Sequence, residues 1–250
     1  MKLKLALIIL PIMAALHILP GQATDREDQV NPLLSAEGQT QDAPPPLLEM
    51  DSIDYLIMIV AAGLIFSMQA GFKCFEVGML RERHSTAIGM KNVIDYITVG
   101  LGFFLVGFGF MFGKSQGGLV GTSFWGLEGI NTYGSGLFLF QLGFAATAVT
   151  IVSGAMAERT SFVAYLIGSL MVGVFIYPIV GHWCWGGMYI IEGNEGWLEK
   201  MGFLDFAGAT VVHGTGAWVA LVGFWMLGPR LGRYCPETGK VQSFEGYNTS

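Results

Sequence analysis

The chain has 250 residues, a formal net charge of −6, 52% hydrophobic residues and only 13% charged ones. That charged share is about half the ordinary one for a soluble domain, so 13 Lys+Arg and 19 Asp+Glu cannot cover the water-facing surface such a length would need. An acidic balance with no basic patch speaks against a nucleic-acid partner, 36 glycines without a period exclude collagen, nine prolines are too few for a disordered chain, and what remains is a membrane protein.

Residues 1–23 read as a secretory signal: Lys2 and Lys4 precede an apolar run of about 15 residues, which closes on the small-x-small pattern Gly21-Gln22-Ala23. A retained signal anchor is the alternative, although the run is short for a span, which wants roughly 20 residues. Residues 24–52 are acidic and polar with Pro44-Pro45-Pro46 near their end, and are expected to form a flexible extracytoplasmic segment without a core of its own. Five apolar stretches follow, at about 53–80, 93–112, 136–157, 162–185 and 210–227. Each is near the length that crosses a bilayer as a helix, and none alternates like a barrel strand.

The connections set the direction. Arg81, Arg83 and Lys91 lie between the first and second stretches, Arg159 between the third and fourth, and Arg230, Arg233 and Lys240 after the fifth. The other two connections hold few positives, Lys114 in one and Lys200 among Glu192, Glu195 and Glu199 in the other. The positive-inside rule then puts the mature N-terminus outside and residues 231–250 in the cytoplasm. Glycines at 100, 102, 107, 109 and 113, and Ser153, Gly154, Ala155 and Ala157, predict close helix packing. Cys74, Cys184 and Cys235 form no C-x-x-C pair, and two of them sit in apolar stretches, so they read as small buried apolar residues rather than as redox or metal chemistry.

Polar groups inside a membrane are functional candidates by default. His213 lies one turn inside the fifth stretch, flanked by apolar residues, and reads either as a hydrogen-bonded packing residue or as a group that meets polar cargo or relays a proton. Phe140 and Phe144 near the start of the third stretch, and Trp183, Trp185 and Tyr189 at the end of the fourth, fall on the same external side. They make either an interfacial belt or a vestibule whose ring faces attract a small cation.

Four segments carry a resemblance. Phe140-Gln141-Leu142-Gly143-Phe144-Ala145-Ala146-Thr147-Ala148, Ser153-Gly154-Ala155-Met156-Ala157-Glu158-Arg159, Tyr177-Pro178-Ile179-Val180-Gly181-His182-Trp183-Cys184-Trp185-Gly186, and Asp205-Phe206-Ala207-Gly208 followed five residues later by His213 resemble the ammonium transporter (Amt/Mep/Rh) family. The resemblance implies an all-α membrane fold of eleven helices in two inverted repeats, of which 53–230 would be the first five-helix half, assembled as a homotrimer. It implies that Phe140 and Trp185 line an external ammonium recruitment site and that Asp205 holds that loop and acts electrostatically without being a direct ligand. Phe144 would belong to the gate below, and His213 would be the first of two pore histidines. Ammonium would lose its proton near the gate and ammonia would cross, with no cofactor and no metal.

Two features depart from the family pattern. Many members read Arg-Ser-Lys-Asn where this chain has Arg81-Glu82-Arg83-His84. Lys73 stands inside the first stretch, either paired with Glu76 three residues on or snorkelling to the headgroups. The length suggests the N-terminal half of a longer protein. An ammonium transporter is expected; an ammonium sensor, whose membrane domain controls a fused cytoplasmic signalling module, is the alternative. A PII-type regulator is a further partner the family implies. No metal cluster, nucleophile triad or phosphate loop suggests an enzyme.

Overall fold

The computed structural model describes Leu47, residues 51–187 and residues 190–243. The signal reading at 1–23 and nearly all of 24–52 lie outside the described residues. Five helices are long and apolar enough to cross a membrane: α1 (Ser52–Gly78), α2 (Glu82–Phe112), α3 (Thr132–Met156), α4 (Phe162–Trp185) and, after a short α5 (Trp197–Lys200), α6 (Ala209–Leu227). A small antiparallel hairpin of β1 (Ser115–Gln116) and β2 (Val120–Gly121) follows α2. The fold is all-helical apart from that hairpin among the described residues, with five helices of spanning length.

The helices start where side chains can take up free amides. Asp51 accepts from Ile53 N at 2.7 Å, Asn131 from Gly134 N at 2.8 Å and Ser161 from Ala164 N at 3.4 Å, each relieving an orphan donor of the first turn. α3 is the centre: about two-thirds of its apolar window is buried, against about one-tenth for α1. It packs against α1, α2, α4 and α6. In lipid, where burial of apolar surface between helices gains little, close contact and polar bonds hold helices together. Gln69 of α1 supplies such bonds, donating to Thr147 Oγ1 at 3.2 Å and accepting from Thr150 Oγ1 at 3.1 Å. α2 and α4 cross at Gly102 and Gly173. A Cβ on the first would stand 2.4 Å from Val174 Cγ2, and one on the second 2.5 Å from Val99 Cγ1.

α2, α4 and α6 each contain a π-helical turn, at Phe103–Gly107, Val172–Ile176 and Ala209–Gly214. The loop end of the bundle is laced by polar side chains. Asn194 accepts from Ser115 N at 2.6 Å and donates to the carbonyls of Gly113 and Gly186 at 2.9 and 3.0 Å. His182 Nδ1 lies 2.8 Å from Met111 O, which can only accept, so this nitrogen carries the proton; Nε2 faces Ser115 Oγ at 2.8 Å. Burial pushes the Glu199 carboxyl up, against amide donation from Gly187 and Gly196. Leu47 bridges to Ile191 at this end, so at that residue the segment expected to be flexible is docked on the loop.

Two local expectations are corrected and one open alternative is narrowed. α2 begins at Glu82 rather than at 93, so Lys91 is not a loop charge but a buried residue of the span. Its polar neighbours Ser85, Thr86 and Asn92 hide that turn from a reading of apolar runs. Lys73 and Glu76 form no ion pair among the described residues: Lys73 is exposed beside Gly89 of α2, and Glu76 turns to Ser153. Cys74, expected to be buried, is exposed.

Candidate functional site

The wall of the site comes from α3, α4 and the start of α6. Phe140 and Phe144, one turn apart on α3, meet edge to face with ring centroids 5.1 Å apart, and Phe144 reaches the Trp185 ring at 6.5 Å. The edge-to-face pair suits the ring quadrupoles; the Phe144–Trp185 pair is tilted at 47°. Trp185 is buried at the end of α4, where its indole Nε1 donates to the main-chain oxygen of Asp205 at 2.7 Å. The indole therefore positions the loop that leads into α6.

The Asp205 carboxylate is fully engaged by that loop. One oxygen accepts from Gly208 N and Ala209 N at 2.9 and 3.0 Å, the other from Thr210 N and Val211 N at 2.8 and 2.7 Å. Four amide donors at a helix start are matched by one anion. Gly208 sits at φ 85°, and a Cβ there would fall 2.5 Å from Val212 Cγ2 and 3.3 Å from the Trp185 ring; only glycine fits. The turn brings His213 Nδ1 to 3.3 Å from Gly208 O. A carbonyl only accepts, so Nδ1 donates in this contact. Nε2 is then the ring nitrogen left to meet a polar guest.

The structure thus links Phe140, Phe144, Trp185, Asp205 and His213 in series, the last through the main chain of Gly208. Phe140 and Phe144 are half-buried and His213 is exposed, so the row lies on an open face. Tyr189 falls outside the described residues, and Trp183 turns away to donate to Leu119 O at 2.8 Å. A cleft of about 330 Å³ lies elsewhere, lined by Glu158, Arg159, Leu227 and Pro229 among others.

At the opposite end of α3 and α4, Glu158 sits at φ 60°, its side chain only 1% exposed. Its Oε1 accepts from Arg81 Nε at 3.0 Å and Arg81 N at 3.2 Å and lies 3.9 Å from His84 Nε2, while Oε2 lies 3.9 Å from Arg230 Nε. Burial pushes this carboxyl up, but the Arg81 hydrogen bonds and the Arg81 and Arg230 charges outweigh it and hold it below the usual range. No cluster of His, Cys, Asp and Glu that could hold a metal occurs among the described residues.

Sequence reasoning had not weighed His182, Asn194 or Glu199, which lace the loops, nor Asn92 and Asp95 inside α2. For the last two the signal was present: a carboxamide and a carboxylate in a membrane span.

Residues 56–250 match the model of the Ammonium Transporter Family. The chain belongs to this family. A Synechocystis relative is 48% identical over 205 residues, covering 80% of this chain and 37% of its own length. Ammonium transporter Amt2 of Archaeoglobus fulgidus is 41% identical over 204 residues, covering 78% and 42%. Among solved structures, one titled "Sensor Amt Protein" superposes with a TM-score of 0.71 at 41% identity, covering 76% of this chain and 47% of that one. Candida albicans Mep2 superposes with a TM-score of 0.65 at 24% identity, covering 72% and 40%, which speaks for the fold alone. The chain spans under half the length of these curated relatives.

Proposed function

We propose that this chain forms one half of a pathway for ammonium and ammonia across the cell membrane. The observation that carries the reading is the continuous row Phe140–Phe144–Trp185 beside an exposed histidine whose Nδ1 meets the Gly208 carbonyl. Ring faces attract a small cation by roughly 0.5–2 kcal/mol per contact as it sheds water, and the engaged Asp205 carboxylate adds its field without ligating. Phe140 and Trp185 recruit ammonium, Phe144 gates, and the proton departs as ammonia enters the apolar path. His213 then accepts from ammonia or relays the proton, with a second histidine contributed by residues outside this chain. The basic end with Arg81, Arg159 and Arg230 faces the cytoplasm, so the aromatic row faces outward and the mature N-terminus with it. The working form is a homotrimer, open to a PII-type regulator at the basic face, and not an enzyme.

The test is flux through the full-length gene product in liposomes. His213→Ala should assemble normally yet change the ammonium-driven current or its ion selectivity; unchanged currents would return His213 to a packing role. The 41% identity to a sensor protein favours a second reading, an ammonium sensor whose membrane half controls a fused signalling domain. The intact mass of the native product separates the two. Roughly twice the 27.0 kDa of this chain, as two repeats need, supports a transporter, and a mass well above that supports the sensor.

A further inference from the structure

Away from the aromatic row, toward the basic end, α1–α4 enclose a second polar site. Glu76, Asn92, Asp95 and Lys91 are 4%, 7%, 3% and 8% exposed, and Ser153 is fully buried. Ser153 Oγ lies 2.9 Å from Glu76 Oε2 and 3.3 Å from Asn92 Oδ1. Lys91 Nζ donates to Ser153 O at 3.3 Å and stands 4.0 Å over the Tyr165 ring. The Tyr165 hydroxyl donates to Asp95 Oδ2. Glu76 Oε1, Asn92 Nδ2 and Asp95 Oδ1 have no hydrogen-bond partner among the described residues.

Proton counting separates the two carboxyl groups. The contacts Glu76 Oε2···Ser153 Oγ and Ser153 Oγ···Asn92 Oδ1 join three oxygens and need two protons, while the serine hydroxyl owns one. Charge counting gives the same answer. With Lys91 positive and both carboxylates ionised, the site would hold one uncompensated negative charge in a setting where that is costly. Turning the Asn92 carboxamide over would satisfy Ser153 with an ionised Glu76, but would leave that charge in place. Asp95 has its own donor in Tyr165, whereas the one group within hydrogen-bond distance of Glu76 among the described residues is the shared serine, with the Asn92 carboxamide beside it. Of the elements packed against α1, α2 turns Lys91 and Asp95 toward Glu76 and α3 offers Ser153, while His84 of the turn faces Glu158.

We propose that Glu76 is an intramembrane proton-binding site, carrying at neutral pH an exchangeable proton that runs Glu76 Oε2–H to Ser153 Oγ–H to Asn92 Oδ1. The bound proton makes the site neutral, since Lys91 then balances Asp95. It leaves Glu76 Oε1 as a carbonyl oxygen, less costly to bury unpaired than half of an anion. The site lies apart from the aromatic row and does not depend on what crosses it.

Infrared difference spectroscopy on the full-length protein in phospholipid vesicles tests this without any transport assay. At neutral pH the wild type should show a protonated-carboxyl carbonyl band, equivalent to one group per chain, that Glu76→Gln removes. The amide of glutamine can donate to Ser153 as the acid does, so this variant should keep its fold. Should it fail to fold, Ser153→Ala serves: the band should persist but shift to higher wavenumber as its hydrogen bond is lost. Loss of ionised-carboxylate bands in Glu76→Gln would overturn the assignment. So would a protonated-carboxyl band that answers to Asp95→Asn alone, or one that ignores Ser153→Ala.

Discussion

Asp205 is worth more to this site as a structural anion than as a ligand. Its two oxygens hold four amides between 2.7 and 3.0 Å, and its main-chain oxygen holds the Trp185 indole. Asp205→Asn keeps one acceptor oxygen and turns the other position into a donor facing amide donors. The expected loss is about 2 kcal/mol or more of stability, read as a lower unfolding midpoint of the detergent-solubilised full-length protein. A midpoint equal to wild type would mean the loop is held by other contacts. The sequence showed which residues these were, because a family-like block names Asp205 and His213 together. It did not show how they are joined, since the link runs through main-chain atoms of Gly208 and Asp205 that no side-chain pattern encodes.

At the scale of the helix, the spans were legible and their faces were not. Length and apolarity located five helices to within a few residues, except at α2, where Lys91 and Asn92 masked the first turns. Each π-helical turn in α2, α4 and α6 adds a residue and rotates everything after it, so a wheel of period 3.6 loses its phase across the break. The α2–α4 crossing offers a direct check. Gly173→Ala should cost about 1–3 kcal/mol by overpacking against Val99, and Val99→Ala in the same chain should recover part of that, a coupling measured by a double-mutant cycle. Additive losses would place the two residues out of contact. Glu158 joins the α1–α2 turn, the α3–α4 loop and the segment after α6. Because its folded carboxyl titrates below the usual range, its stabilisation is full above that range and fades as pH falls through the lowered value. Glu158→Gln should therefore be less stable than wild type near neutrality, with the difference narrowing in acid. A difference independent of pH would refute the ionic account.

For the whole molecule, membership in the ammonium transporter family and five spans describe less than half of the relatives' length. His213, Phe224, Trp225 and Met226 lie exposed along α6. Residues 1–250 alone should consequently give no ammonium-driven current in liposomes, while the full-length product should; a current from the fragment would show that one half suffices. At the loop end one carboxamide ties several segments together. Asn194 binds the ends of α2 and α4 and the start of β1 at once. Slow hydrolysis to aspartate would replace its donor with an anionic oxygen facing the carbonyls of Gly113 and Gly186, turning two attractions into repulsions. Chemical ageing at that one side chain would loosen three segments together. Peptide mapping for aspartate at position 194, paired with amide exchange at Ser115, would date the onset of that decay.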